Sequence, residues 1–257
     1  MNSKYEINTK ENREFLKASC EELLNFGHRF PSPNGGSYYL GDDGTPWKDR
    51  NRETWITCRM AHVYSLGLML GHEGSEELAD AALKGLKGEL HDEKNGGWYA
   101  GVTPEGDIVP NKQCYAHAFV ILAASSALTA GRPGAKELLE EALAVYDRHF
   151  WNEEEGLACD TWNTEFTVLD DYRGLNANMH TVEAFLAAGD VTGDKKYHIR
   201  AGRIIDHVIQ WAEDNSWRIP EHFTKEWVAD LDCNRDRPDD PFNHTAQHRD
   251  MESNGQG

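Results

Sequence analysis

The chain has 257 residues, of which 39% are hydrophobic and 10% aromatic, and it carries a formal net charge of −18. Such a surface repels nucleic acid and anionic membranes, and it argues against a highly anionic substrate unless basic groups cluster locally. No apolar run approaches the roughly 20 residues that a membrane-spanning helix needs.

The segment Met1 to Glu6 lacks the apolar stretch of a secretory signal. Five cysteines (Cys20, Cys58, Cys114, Cys159 and Cys233) are scattered and form no CxxC pair. That usage fits reduced thiols in a cytoplasm better than a disulfide or zinc framework.

Period-3.6 patterning predicts helices near 10–27, 52–71, 74–89, 112–131, 134–149, 174–190 and 194–214. Gly71 and Gly131 stand where C-terminal glycines belong. Pro133 suits a first helical turn, and Asp194 suits a cap for the last helix. The helices near 52–71, 112–131 and 174–190 are apolar over most of their circumference, which predicts burial. Those near 74–89, 134–149 and 194–214 carry a charged face, which predicts an outer layer.

The expected architecture is therefore all-α, with an inner and an outer ring of helices joined by short turns on one side. On the other side the connections 28–51, 90–111 and 150–173 are long. Within them, 97–101 with 106–109, and 161–162 with 166–168, read as short hairpins. Long loops on one end of a rigid scaffold are the usual place for a binding site. The barrel domain is expected over 1–231 and a polar, poorly ordered tail over 232–257.

Three stretches share a layout in which a glycine-rich loop leads to a histidine and then to an apolar helix. His62, His117 and His180 recur in it 55 and 63 residues apart. A period of that size holds about two helices and points to a stack of helix pairs.

The segments Arg59-Met60-Ala61-His62, Gly96-Gly97-Trp98, Tyr115-Ala116-His117-Ala118-Phe119 and Asn176-Ala177-Asn178-Met179-His180 resemble the N-acylglucosamine 2-epimerase family. The likeness is to its aldose–ketose isomerase branch of mannose and sulfoquinovose isomerases. Pro220-Glu221-His222-Phe223 and the 234–242 region extend it, so that it covers roughly residues 10–242. The resemblance implies an (α/α)6 barrel with short hairpins in its long loops. It also implies metal-free isomerisation of a hexose by histidine acid–base chemistry, with no cofactor. Carried over by position, Arg59, Tyr115, Asn176 and His180 contact the sugar.

One departure is large: the family has about twelve helices, whereas this chain has room for about seven. His248 is near the place of a proton-transferring histidine of the family, but Gln247 and Met251 replace its flanking glycine and glutamate. A second such histidine has no counterpart. The chain is thus expected to be an incomplete barrel, truncated after about seven helices. His180 and His248 are its catalytic candidates, and its exposed apolar flanks are expected to favour a homodimer or other self-association.

Each residue also has a plainer role open to it. Arg59 suits the developing charge of a cis-enediol, or a salt bridge to Asp170 or Asp171. His180 and Glu183 are i and i+3, so the carboxylate can orient the imidazole or hold a sugar hydroxyl; the plainer alternative for His180 is a satisfied core histidine. Asn176 suits hydroxyl recognition, and Tyr115 is either a hydroxyl ligand or a core residue. His62 and His117 read as ties between inner helices. Trp55, Trp98 and Trp162 either stack on a sugar or pack the hairpins.

His244 and His248 lack the HExxH pattern of a zinc site, so no metal is expected. Neither a dinucleotide fingerprint nor a P-loop is present. Three functions remain open: sugar isomerase or epimerase, silent carbohydrate-binding fragment, and glycoside hydrolase. The last needs a carboxylate pair, for which Asp160, Asp170, Asp171 and Glu183 are available.

Overall fold

The computed structural model describes residues 3–233. Seven α-helices carry the fold: α1 (Lys10–Gly27), α2 (Thr54–Met69), α3 (Ser75–Leu86), α4 (Cys114–Thr129), α5 (Ala135–His149), α6 (Leu175–Thr192) and α7 (Lys195–Asp214). In the inner layer α2 packs on α4 and α4 on α6, while α3, α5 and α7 stand behind them. This is an arc of the helix hairpins that make an (α/α)6 barrel. Its layering follows from composition. Eleven of the fourteen residues from Cys114 to Ala127 in α4 are buried besides Ser125, whereas α3, α5 and α7 bury only one stripe each.

The turns behave as their residues require. Gly71, Gly131 and Gly193 take positive φ just past the ends of α2, α4 and α6. Asp194 caps α7 by accepting the Lys196 N–H at 3.0 Å. Pro133, expected in the first turn of α5, instead lies before it, because Gly134 in left-handed backbone is the cap and the helix begins at Ala135.

Between the helices and after α7, the described residues carry eleven short strands: β1 (Tyr39–Leu40), β2 (Pro46–Trp47), β3 (Arg52–Glu53), β4 (Gly101–Val102), β5 (Ile108–Val109), β6 (Asn111–Gln113), β7 (Trp151–Asn152), β8 (Leu157–Ala158), β9 (Thr161–Asn163), β10 (Arg173–Gly174) and β11 (His222–Phe223). The β4–β5 hairpin is as expected. The hairpin expected around 161–168 is different: β9 takes β6 as its strand partner, and only a bridge from Trp162 to Leu169 closes its own turn.

A rule emerges from the pairing. The strand just before each inner helix, β3, β6 or β10, pairs with a strand from the following long loop, β4, β9 or β11. The N-termini of α2, α4 and α6 are thereby stitched into one rim. Those strands also explain why α2 and α4 start two residues later than their periodicity suggests.

Each inner helix also grips the loop that precedes it, and the grip comes from the same place. Thr57, His117 and Asn178 are each the fourth residue of their helix. Thr57 Oγ1 accepts the Ser37 N–H at 3.0 Å, His117 Nε2 accepts the Trp98 N–H at 3.1 Å, and Asn178 Oδ1 accepts the Ala158 N–H at 2.9 Å. All three are buried. Gly97 shows how tight the fit is: its φ is +71°, and a Cβ there would lie 2.7 Å from His117 Nε2.

Part of the inner surface stays uncovered among the described residues. Val63, Leu66, Met69 and Leu70 of α2 and Met179 and Leu186 of α6 are exposed. No described helix is long and apolar enough to cross a membrane. The polar tail expected over 232–257, and His248 with it, lies outside the described residues apart from 232 and 233.

Candidate active site at the rim of the inner helices

Residues four apart on a helix share a face. Each inner helix presents one such pair, at its second and sixth positions: Trp55 with Arg59, Tyr115 with Phe119, and Asn176 with His180. These pairs meet. The Arg59 guanidinium lies 4.9 Å from both the Trp55 and the Phe119 ring centres, and its Nη2 donates to the Tyr115 hydroxyl at 3.3 Å. The Tyr115 ring stands edge-on to His180 at 5.0 Å and to Trp55 at 5.8 Å. Phe119 packs on His180 at 4.6 Å. Asn176 lies one turn nearer the rim than His180 and is half-buried.

Arg59 makes no ion pair among the described residues. Asp170, the alternative partner, faces Arg173 instead, at 3.9 Å. Arg59 is exposed although its neighbours are aromatic. A cation held by ring faces with no counter-ion remains available to an anion or a hydroxyl.

His180 has a carboxylate behind it. Its Nδ1 lies 3.1 Å from Glu183 Oε2. A carboxylate acceptor there favours the tautomer in which a neutral imidazole carries its proton on Nδ1 and its lone pair on Nε2. The His180 side chain is 15% exposed and that of Glu183 50%, so the imidazole is sheltered while its partner reaches solvent.

One layer deeper, His62 Nδ1 sits 2.6 Å from Ser126 Oγ, which in turn donates to the Leu122 carbonyl. His62 therefore ties α2 to α4. Burial lowers its pKa, against an opposing pull from the Glu183 charge, which places Glu183 in its neighbourhood. Burial also raises the pKa of Tyr115, partly offset by Arg59, so the phenol stays a neutral donor and acceptor.

His117 does not join them. It is two positions from Tyr115, so it points away from the ring face. Its Nδ1–H donates to the Gln113 carbonyl at 2.7 Å, and burial drives its pKa down to about 3. It is a neutral structural clasp. Trp98 is wholly buried, with its indole N–H on the Leu86 carbonyl, and Trp162 donates to the His149 carbonyl. Of the three tryptophans considered, Trp55 is the one beside the cluster.

Sequence reading passed over Glu53 and Lys112 at this end of the molecule, and counted Asp160 only among the available carboxylates. Glu53 accepts from both Tyr39 and Trp55 beside the cluster. Asp160 bridges two inner helices: its carbonyl accepts the Cys114 N–H that begins α4, and its Oδ2 accepts the Gly174 N–H ahead of α6. Burial raises the Asp160 pKa to about 7, against the hydrogen bond from Gly174. Lys112, fully buried, pairs with Asp92 at 2.9 Å and donates to the Gly96 carbonyl at 2.7 Å, which pins the second glycine-rich turn. The offset of 19 or 20 between loop and clasp residues is the signal that exposes this end of the ring. A lone Glu or Lys in a loop gives none.

No cluster of His, Cys, Asp and Glu among the described residues has the makings of a metal site. A separate surface depression lined by Asp80, Lys84, Lys87, Gly88 and Pro133 involves outer-layer residues. Both of its lysines are engaged with backbone carbonyls, so it offers no comparable chemistry.

Comparison with known proteins gives one direction. The N-acylglucosamine 2-epimerase (GlcNAc 2-epimerase) family profile matches residues 35–248. The chain is 42% identical over 232 residues to a D-mannose isomerase of Thermobifida fusca, covering 90% of this chain and 57% of that protein. It is 37% identical over 246 residues to a D-mannose isomerase of Pseudomonas cannabina pv. alisalensis, covering 94% and 59%. It therefore spans less than two thirds of the length of these curated relatives. Among solved structures, a crystal structure of D-mannose isomerase superposes with a TM-score of 0.83 at 28% identity, covering 92% of this chain and 61% of that one. The cellobiose 2-epimerase of Bacillus thermoamylovorans B4167 follows the same fold, with a TM-score of 0.76 at 21% identity and coverage of 86% and 62%.

Proposed function

The chain belongs to the N-acylglucosamine 2-epimerase family, and on that footing we propose that its rim cluster binds a monosaccharide and interconverts an aldose and a ketose, with mannose and fructose the favoured pair. One observation carries the reading. A guanidinium, a phenol and a carboxylate-backed imidazole from three helices converge on one spot, in a chain 42% identical to a D-mannose isomerase.

The chemistry asks for ring opening, removal of the C2 proton and return of a proton at C1 through a cis-enediol. His180 suits the proton shuttle, because Glu183 holds Nδ1–H and leaves the Nε2 lone pair free. Arg59 suits the charge that develops on the enediol oxygens. Asn176 and Tyr115 suit the sugar hydroxyls, with Trp55 and Phe119 as the apolar walls. His248, in the stretch beyond residue 233, is assigned a share of the proton transfer on family position alone. The scheme uses no metal and no cofactor. The scattered cysteines favour a cytoplasmic setting for it.

The test is mannose in deuterated water, followed by NMR. Deuterium entering at C2 together with the appearance of fructose supports the proposal. Binding without exchange supports the second reading, a catalytically silent carbohydrate-binding protein. The exposed apolar side chains of α2 and α6 lead us to expect self-association as well. Light scattering that returns a monodisperse monomer would overturn that expectation.

A further inference from the structure

Glu53 stands where an acidic residue ordinarily caps a helix. It is the N-cap of α2, in extended backbone at φ −92° and ψ 144°, yet its side chain takes none of the free N–H groups of the helix. The carboxylate is turned the other way. Its Oε2 accepts from the Trp55 indole N–H at 2.6 Å and from the Tyr39 hydroxyl.

Both donors belong to one aromatic wall. Tyr39 stands edge-on to Trp55 at 6.2 Å, and Trp55 edge-on to Tyr115 at 5.8 Å. The Arg59 guanidinium sits over the same indole. The backbone of Glu53 is itself fixed, since it lies opposite Gly101 in the β3–β4 pair. A Cβ on Gly101 would come within 2.9 Å of the Arg52 carbonyl and 3.2 Å of Glu53 Cα. At the matching caps of α4 and α6 stand Gln113 and Gly174. Of these three cap residues, Glu53 alone carries a carboxylate.

We propose that Glu53 is a positioning residue: by gathering the Trp55 indole and the Tyr39 phenol onto one carboxylate oxygen, it fixes the ring wall that holds Arg59 in place for a sugar. The inference rests on the sugar-site reading given above. An indole free to swing would let the guanidinium swing with it, and a misplaced group loses its advantage steeply. Glu53 acts through Trp55 and needs no contact with the sugar.

The test uses the full chain with Glu53→Ala and Glu53→Gln, each with and without Trp55→Phe. Acrylamide quenching without sugar, taken as the difference made by Trp55→Phe, reads the freedom of that one indole among the eight tryptophans. Calorimetry with mannose reads recognition. Glu53→Ala is expected to raise the quenching of Trp55 and to weaken mannose binding about tenfold. Glu53→Gln keeps an accepting oxygen and is expected to restore most of both. A Trp55 as protected in Glu53→Ala as in the parent overturns the proposal. So does a freed indole with unchanged affinity, or a glutamine that rescues neither readout. A parent with no affinity for mannose sinks the sugar-site reading instead, and the quenching arm then decides alone whether Glu53 holds the ring.

Discussion

His117 and His180 are both histidines near the start of an inner helix, each after a long loop, and they do opposite work. His117 is the fourth residue of α4 and His180 the sixth of α6. Two positions turn a helical side chain by about 200°, from one face to the other. On the fourth-residue face, Thr57, His117 and Asn178 bolt loops to helices, and the neutral imidazole has both nitrogens spent on backbone groups. On the second- and sixth-residue face, Trp55, Arg59, Tyr115, Phe119, Asn176 and His180 line the rim, and the imidazole keeps a lone pair. Register along the helix, more than residue type, decides which histidine is a clasp and which faces the rim cluster.

The largest break in this contrast comes from removing the bolt. His117→Ala deletes a buried ring and strands the Trp98 N–H and the Gln113 carbonyl, at a cost of about 3 kcal/mol. For a chain of this size that lowers Tm by roughly 6–12 °C. His117→Asn borrows the side chain that α6 uses at the same position, keeps an acceptor for Trp98, and is expected to cost less than half as much.

The two variants differ from the parent in pH dependence too. His117 has a folded pKa of about 3, below that of a free imidazole near 6.5. As pH falls between those values the unfolded chain takes a proton that the folded chain refuses, so the parent loses stability. The Tm gap between parent and His117→Asn should therefore narrow from pH 7 to pH 4. A gap that widens would mean the imidazole is charged in the fold.

Substitutions on the ring face should do the reverse. Arg59→Ala and His180→Ala are each expected to weaken mannose binding at least tenfold, or about 1.4 kcal/mol. Arg59 is exposed and makes no ion pair among the described residues, so its loss should leave stability within about 0.5 kcal/mol of the parent. Calorimetry and a thermal melt on the same sample separate the two faces. Either variant binding as tightly as the parent would move the pocket elsewhere.

The helix layers were legible in the sequence because burial on all sides and burial on one stripe leave different patterns over 12 to 20 residues. Apart from the β4–β5 hairpin, the strands were not, since two or three residues are too few to show an alternation. The site was legible largely through family resemblance, which brought in Arg59, Tyr115, Asn176 and His180. The internal repeat was read in the wrong register. His62, His117 and His180 look equivalent as letters, yet they are the ninth, fourth and sixth residues of their helices. The equivalent residues are Thr57, His117 and Asn178, three different side chains chosen for one shared ability to accept a hydrogen bond. Their offsets from the loop residues they hold are 20, 19 and 20, which is where the repeat is visible.

The smallest effect concerns Asp160, which sits between the two faces, joined to the start of α4 through its carbonyl and to α6 through its carboxylate. Burial raises its pKa to about 7, with Asp170 and Glu221 adding to the rise while Gly174 and Arg173 oppose it. In the unfolded chain a carboxyl titrates near 4. Between those two values the folded state holds a proton that the unfolded state has lost, so this group's contribution falls as pH rises from about 4 to 7. That is the opposite sign to His117. Asp160→Asn stays neutral throughout and still offers an oxygen to the Gly174 N–H, although its amide N–H groups need new partners. The expected net gain at pH 8 is about 1 kcal/mol, or roughly 2–4 °C in Tm, vanishing by pH 4. A variant that melts lower than the parent at pH 8 would show that the charge of Asp160, held at the head of α6, stabilises the rim rather than costing it.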